Sequence, residues 1–299
     1  MIAQPFDYAA PKTLDEALKL IAAGAKPLAG GMSLIPMMKL RLAAPEQLVD
    51  LARIKDLSSI RESGNQIHLG ATATHYAVES SSLIRAKCPL LAAVAAAIGD
   101  VQVRNVGTIG GSVAHADPAA DYPAALQALE AKIVIQGAGS ARTVTAAHFF
   151  VDAFTTALEP GEIVREIVVP VEDCATSYQK APQPASGFAL VGVAVRLKKS
   201  GGMITSAHIG VTGLANKSYR ASAAEKALVG TAGAGPDIQK AAALVPHGVD
   251  ANSDLHASAD YRRHLASVYA ARAIAAAVAQ ISLRLAGSSA GDGVSSRIF

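Results

Sequence analysis

The chain has 299 residues, of which 51% are hydrophobic and only 17% charged, and its formal net charge is +3. This composition excludes a disordered chain and supports a generous core spread over two or three packed units. Trp is absent, aromatics are 4%, and no basic stretch is interleaved with aromatics, which leaves a nucleic-acid partner without support.

Thr13 with Glu16 three residues later forms a capping box for a first helix. Leu14, Leu18 and Ile21 supply its apolar face, and Gly24 ends it. A strand at 26–28 runs into Ala29-Gly30-Gly31-Met32-Ser33, followed by a helix over 34–41 and a strand over 47–51, a compact βα unit. Next come a strand at 66–69 and helices near 76–80 and 90–98. The segment 99–117 is rich in glycine and poor in helix signals, and reads as irregular. A helix over 121–129, strands at 132–136 and 162–169 and a turn-rich stretch at 182–187 close this portion. The runs 188–198 and 204–213 form a hairpin around Lys199-Ser200-Gly201-Gly202. Helices near 221–229 and 236–245 precede a last long helix over 259–286, with Ala271, Ile274, Val278, Ile281 and Leu285 on one stripe. The Gly/Ser-rich tail 287–299 is expected to fray.

Mean hydropathy is +0.30. The apolar surplus lies either in the alanine-rich helices or on surface that a partner buries. Cys88 and Cys174 belong to no zinc or iron–sulfur spacing; two thiols in a reducing compartment is the expectation, with a disulfide as the alternative. No basic region followed by an apolar run opens the chain, and no stretch of about 18 uninterrupted apolar residues occurs, so neither an export signal nor a transmembrane segment is expected. A cytoplasmic protein is the resulting expectation.

Two glycine-rich turns are the most informative motifs. In Ala29–Ser33 adjacent glycines let the backbone approach a ligand, and successive N–H groups ahead of a helix make a nest suited to a phosphate, with Ser33 adding a hydroxyl. In Gly107-Thr108-Ile109-Gly110-Gly111-Ser112 two hydroxyl residues bracket the glycine pair as a diphosphate would need. Ordinary tight turns are the alternative for both. Neither is a GxGxxG or a GxxxxGK[ST] cradle, and Gly230, Gly233 and Gly235 read as a loop. His115, Asp117 and Asp121 could be drawn as a metal triad, but solvent contacts or helix capping by Asp121 are the better reading, so no metal ligands are assigned. No GxSxG elbow is present and no catalytic residue is assigned. Lys39 and Arg41 read as a solvated helix face, and Arg104 stands close enough to the second turn to pair with anionic cofactor or partner groups.

The segments Pro27–Lys39 and Gln102–Ser112 together resemble the medium, FAD-binding subunit of molybdenum hydroxylases, the carbon monoxide dehydrogenase branch most closely. The likeness extends through Asp117–Pro123, Glu159–Ile163 and the terminal portion. It implies an α+β chain: a PCMH-type FAD-binding domain over 1–176 in two α/β halves (about 1–55 and 56–176), then a small C-terminal domain of antiparallel sheet with helices over 177–286, and the tail 287–299. It further implies that FAD is held by Leu28, Ala29, Gly30, Gly31, Met32, Ser33 and Leu34 on one side and by Gly107, Thr108, Ile109, Gly110, Gly111 and Ser112 on the other. Asp121, Ile163, Lys180 and Phe188 match further cofactor positions. Met32 stands where that branch tends to have His, and Phe188 where it has Tyr.

The implied role is electron transfer from 2Fe–2S clusters in a small subunit to an external acceptor such as quinone. A large subunit with molybdopterin cytosine dinucleotide would oxidise the substrate, be it carbon monoxide, an aldehyde or an N-heterocycle. The implied assembly is a dimer of heterotrimers, cytoplasmic or peripheral at the inner membrane face through the complex. A stand-alone FAD oxidoreductase of the same fold, or a nucleotide-binding module without redox turnover, are the alternatives. Gly31→Val and Gly110→Val are expected to expel the ligand while leaving the fold soluble.

Overall fold

The computed structural model describes residues 2–289, the side chains of 282–289 excepted. Its first unit is a parallel sheet of β1 (Asp7–Ala9), β2 (Lys26–Leu28) and β3 (Gln47–Asp50) in the order β1-β3-β2, with α1 (Leu14–Ala22) and α2 (Leu34–Lys39) as crossovers. The Thr13 hydroxyl accepts the Glu16 N–H at 3.3 Å, capping α1 as the sequence predicts. The return bond of the box goes instead to the Lys12 N–H. Ala17, Leu18 and Ile21 bury against Val49, Leu51, Ile54 and Leu57. Helix α2 stops two residues short of its predicted end because Arg41 turns to φ 62°, a conformation no helix continues through.

The second unit is an antiparallel sheet, β4-β5-β10-β6-β7, built from β4 (Ile60–Ser63), β5 (Gln66–Gly70), β6 (Lys132–Gln136), β7 (Ala141–Thr145) and β10 (Ile163–Pro170). A small hairpin, β8 (Phe150–Asp152) with β9 (Thr155–Thr156), interrupts it. The sheet is covered by α3 (His75–Ser80), α4 (Ser82–Lys87), α5 (Pro89–Ala96), α6 (Val101–Val106), α7 (Ile109–His115), α8 (Tyr122–Ala128) and α9 (Ala146–Phe149). The stretch predicted to be irregular therefore holds two helices. Two short polar side chains start them: Asp100 accepts from the Val103 N–H at 2.8 Å, and Thr108 from the Gly111 N–H at 3.1 Å. Those caps stabilise helices that the glycines alone would disfavour.

The third unit is the antiparallel sheet β11 (Ala175–Pro182), β12 (Ala189–Ser200), β13 (Met203–Thr212) and β14 (Tyr219–Arg220), in that order, with α10 (Ser222–Leu228), α11 (Gly235–Ala243) and α12 (Ala259–Ser289). Gly201 (φ 58°) and Gly202 (φ 82°) make the predicted hairpin turn. One face of this sheet rests on α8 so closely that a Cβ at Gly210 would collide with the Ala124 carbonyl. The other face packs on α12, whose buried stripe is Leu265, Ala266, Ala270, Ala273, Ile274 and Ala277. Of the predicted stripe, Ile274 is buried and Ala271, Val278 and Ile281 flank it half-buried. The Leu285 side chain lies outside the described residues, as does the expected tail from residue 290 on. By length and composition α12 could cross a bilayer over Ala259–Ile281, but with this stripe inside the core it serves as a core helix of the third unit.

Charge completes the joint between the second and third units. Arg196, its side chain 4% exposed, bonds Glu130 at 2.9 Å and Glu172 at 3.3 Å, and Arg220 bonds Glu130 at 2.9 Å. Cys88 is a buried thiol pushed up to about 12, chiefly by burial, and the Cys174 thiol donates to the Glu172 carbonyl.

Candidate functional site

The turn between β2 and α2 keeps its donors open. Among the described residues, the N–H groups of Ala29, Gly30, Gly31, Met32 and Ser33 have no protein acceptor. Ser33 stands at the N-cap of α2 without a side-chain cap bond, so its hydroxyl is unspent too. Gly31 takes φ 69°, which turns the row of amides into a concave nest. Leu28 and Leu34 are half-buried at its ends, and Met32 is exposed.

The second turn is built differently. Ile109 N–H donates to Ala73 O at 3.0 Å, Gly110 N–H to Ala71 O at 2.8 Å, Gly111 N–H to Thr108 Oγ1 at 3.1 Å and Ser112 N–H to Thr108 O at 3.0 Å. These amides are committed to the fold, and the expected pair of nests is one nest beside a scaffold. Gly110 is buried, and a Cβ there would lie 2.5 Å from the Ala71 carbonyl oxygen. Gly111, by contrast, is exposed. What this turn can offer a ligand is the Thr108 N–H, the Ser112 hydroxyl and the open surface at Gly111.

The two turns meet at Gly30. A Cβ on Gly30 would collide with the Val106 carbonyl oxygen and lie 2.7 Å from the Gly107 Cα. Val106 ends α6, a helix with no buried residue. Its other end leads back to Gly99, close to Gly187 at the base of the Phe188 loop: a Cβ added at Gly187 would lie 3.6 Å from the Gly99 Cα. Six residues of helix span about 9 Å. The nest and the Phe188 loop therefore flank opposite ends of one exposed helix. Val101, Val106 and Phe188 along this line are 59%, 48% and 47% exposed, an apolar surface that a ring system could cover. Arg104 fastens the helix, bonding Glu79 at 2.9 Å and the Ile98 carbonyl at 3.1 Å. The Arg104 charge is thus met by Glu79 within the fold.

At the Gly99 end lies a buried polar group. Lys180 Nζ donates to Ala97 O at 2.7 Å and lies 2.9 Å from Asp121 Oδ1 and 3.0 Å from Oδ2. Tyr178 donates its hydroxyl to the same carboxylate. Burial pushes the Asp121 carboxyl up, opposed by the Lys180 charge and by hydrogen bonds from Tyr178 and Lys180. Asp121 neither caps α8 nor meets solvent, as the sequence reading had it; its side chain is 5% exposed. Ile163 is buried in the core of the first unit. His115 packs its ring on Phe154 at 5.1 Å, and among the described residues no group of three or more His, Cys, Asp or Glu could hold a metal ion.

His75 supports the second turn from below: its N–H donates to Gly107 O at 2.9 Å and its ring packs on Tyr122 at 5.4 Å. Sequence reading singled out neither residue, since nothing local distinguishes a core histidine. Burial first, then the Arg104 charge, lowers the imidazole to about 4. An unfolded chain takes up this proton near pH 6.5 while the fold refuses it, so the contribution of neutral His75 is complete above pH 6.5 and is lost as pH falls toward 4. The loss amounts to about 3 kcal/mol. Urea midpoints measured across that window should fall for the native chain and flatten for His75→Gln; equal slopes would contradict the assignment.

Comparison with known proteins follows the same division. The family described as the FAD binding domain in molybdopterin dehydrogenase matches residues 4–172, and the CO dehydrogenase flavoprotein C-terminal domain matches 176–277. The carbon monoxide dehydrogenase medium chain of Afipia carboxidovorans is 41% identical over 285 residues, 94% of this chain and 99% of that one. The glyceraldehyde dehydrogenase medium chain of Sulfolobus acidocaldarius is 37% identical over 271 residues, 90% and 96% of the two chains. In the crystal structure of the cyanide-inactivated Cu,Mo-CO dehydrogenase, a chain 41% identical superimposes with a TM-score of 0.91, covering 94% of this chain and all (100%) of that one.

Proposed function

The chain belongs to the family of FAD-binding medium subunits of molybdenum hydroxylases, and from that premise we propose that it holds FAD along α6 and relays electrons between partner subunits and an outside acceptor. The observation that carries the placement is the row of unspent N–H groups over Ala29–Ser33, pinned to α6 through the glycine contact at Gly30. A diphosphate fits that nest: it offers the acceptors the amides lack, and the positive φ of Gly31 curves those amides around it. The remaining donors, Thr108 N–H and the Ser33 and Ser112 hydroxyls, would close on the same group from the side of the second turn.

Bound FAD supplies two-electron storage with one-electron exchange. The protein's share is binding, orientation and exclusion of water. Val101 and Phe188 offer apolar cover for a planar ring, Lys180 offers a fixed cation at the same end, and Val106 lines the way from the nest. Phe188 can stack but cannot donate a hydrogen bond, which leaves Lys180 and backbone groups as the donors near the ring. The division 1–176 for FAD and 177–286 for support is consistent with three separate cores in which the third unit's sheet backs α8. The relatives are medium chains of multi-subunit dehydrogenases. By that likeness the partners are an iron–sulfur small subunit and a molybdenum large subunit, in a cytoplasmic dimer of heterotrimers. A quinone would be a suitable acceptor.

Expression with the genes encoded beside it tests this reading. The expected product is a yellow complex that releases one FAD per copy of this chain on denaturation, with two further chains, one of them iron-rich. A colourless product, or a lone chain that oxidises a small substrate unaided, would sink it.

A further inference from the structure

We propose that Tyr178 is a positioning residue: acting through Asp121, it fixes the Lys180 ammonium so that its remaining N–H is presented to the flavin ring. The inference rests on the placement of the ring at the Phe188 end of α6.

Three features of the structure carry it. An ammonium has three donors, and here one goes to Ala97 O and one to the Asp121 carboxylate. Both oxygens of that carboxylate lie within 3.0 Å of the ammonium, yet hydrogen bonds run only to Ala97 O and Asp121 Oδ2 among the described residues, which leaves one donor without a bond although the Lys180 side chain is only 8% exposed. A buried donor left unspent in a polar cluster points to an acceptor that arrives with a ligand. Tyr178 and Lys180 stand two apart on β11, so both project from one face of the sheet onto the same carboxylate. Finally, the space for the phenol is built in: a Cβ on Gly192 would collide with the Tyr178 hydroxyl, so a larger residue on the neighbouring strand would push the phenol from its place.

The hydroxyl matters because the carboxylate faces two ways. Buried Asp121 is stabilised as an anion by Lys180 and by Tyr178. Without the phenolic donor the carboxylate leans more heavily on Lys180, draws the ammonium toward itself and offsets more of its charge. The ring then sees a weaker cation and an ill-placed donor, which disfavours its reduced, more negative form. Burial holds the Tyr178 phenol protonated, so it acts as a donor only.

The test is a double-mutant cycle on the full chain in its complex, using Tyr178→Phe, Lys180→Met and the pair. Readouts are the FAD dissociation constant, the visible spectrum, and the reduction potential of the bound flavin. Lys180→Met should weaken FAD about tenfold, the worth of one hydrogen bond to a charged group, and lower the potential. Tyr178→Phe should move spectrum and potential in the same direction, and should add nothing in the Lys180→Met background. Asp121→Asn, which leaves the amide in place of the charge, should disturb the spectrum at least as much as Tyr178→Phe. If Tyr178→Phe lowers the melting temperature but leaves spectrum and potential native, or if the two changes simply add, Tyr178 is structural and the inference fails while FAD binding stands. If Lys180→Met leaves the flavin untouched, the inference falls together with the placement of the ring. FAD content per chain, measured separately, reports on the proposed function itself.

Discussion

Gly30→Val is expected to yield a folded chain that no longer retains FAD. A Cβ at this position would overlap the Val106 carbonyl oxygen and lie 2.8 Å from the Val106 carbonyl carbon, both backbone atoms that cannot rotate away. The conflict is relieved only by moving the first turn off α6. That motion opens the nest and separates it from Thr108 and Ser112. The three cores lie elsewhere: the first on Val49 and Leu51, the second on the sheet and α8, the third on α12. Stability should therefore change little. Loss of two charge-assisted hydrogen bonds to the diphosphate would cost about 3 kcal/mol, or roughly a hundredfold in affinity. Flavin absorbance per chain after gel filtration, beside a native melting curve, checks both halves. Gly31→Val works through its own backbone instead, since φ 69° is strained for any β-branched residue. Native flavin content in the Gly30 variant would show that the cradle lies elsewhere.

How far the sequence disclosed this site depends on how local its signals are. The nest at Ala29–Ser33 was legible because a strand, a glycine pair and a helix stand next to one another. The hairpin at Gly201-Gly202 was legible for the same reason. The second turn carries an identical glycine pair, yet its amides are spent on Ala71, Ala73 and Thr108. Whether a glycine faces ligand or backbone depends on Ala71, some forty residues away, and no spacing rule reports it. Asp121 was read as a capping residue because a short acid ahead of a helix usually is one. Its true partners, Tyr178 and Lys180, are 57 and 59 residues distant. Strand β11 itself was not anticipated, because its residues are small or polar on both faces and lack the alternation that marks an amphipathic strand. The site thus divides into a nest written in contiguous residues and a charged end assembled by long-range packing.

Gly110→Val should strongly destabilise the fold rather than merely empty it, which departs from the expectation drawn from the motif alone. Gly110 lies in the first turn of α7, its N–H on Ala71 O at 2.8 Å, and a Cβ would collide with the Ala71 side chain and lie 2.6 Å from its Cα. Ala71 follows β5 directly, and its own N–H donates to Arg165 O on β10 at 3.0 Å. It cannot yield without disturbing the sheet, and α7 cannot retreat without exposing Ile109 and Val113, both fully buried. Overpacking against backbone of this kind costs on the order of 3 kcal/mol, a large share of the ~5–15 kcal/mol that holds a typical fold. The neighbouring glycine separates the two roles. A Cβ on Gly111 would meet only Thr108 Oγ1, at 2.8 Å. Gly111→Ala should therefore strain one helix cap, at about 1 kcal/mol, and leave the fold standing with its flavin affinity reduced. Denaturant unfolding of both variants without FAD decides the matter. Equal stability in the two would mean that the α7–Ala71 contact is not what the glycine pair is for.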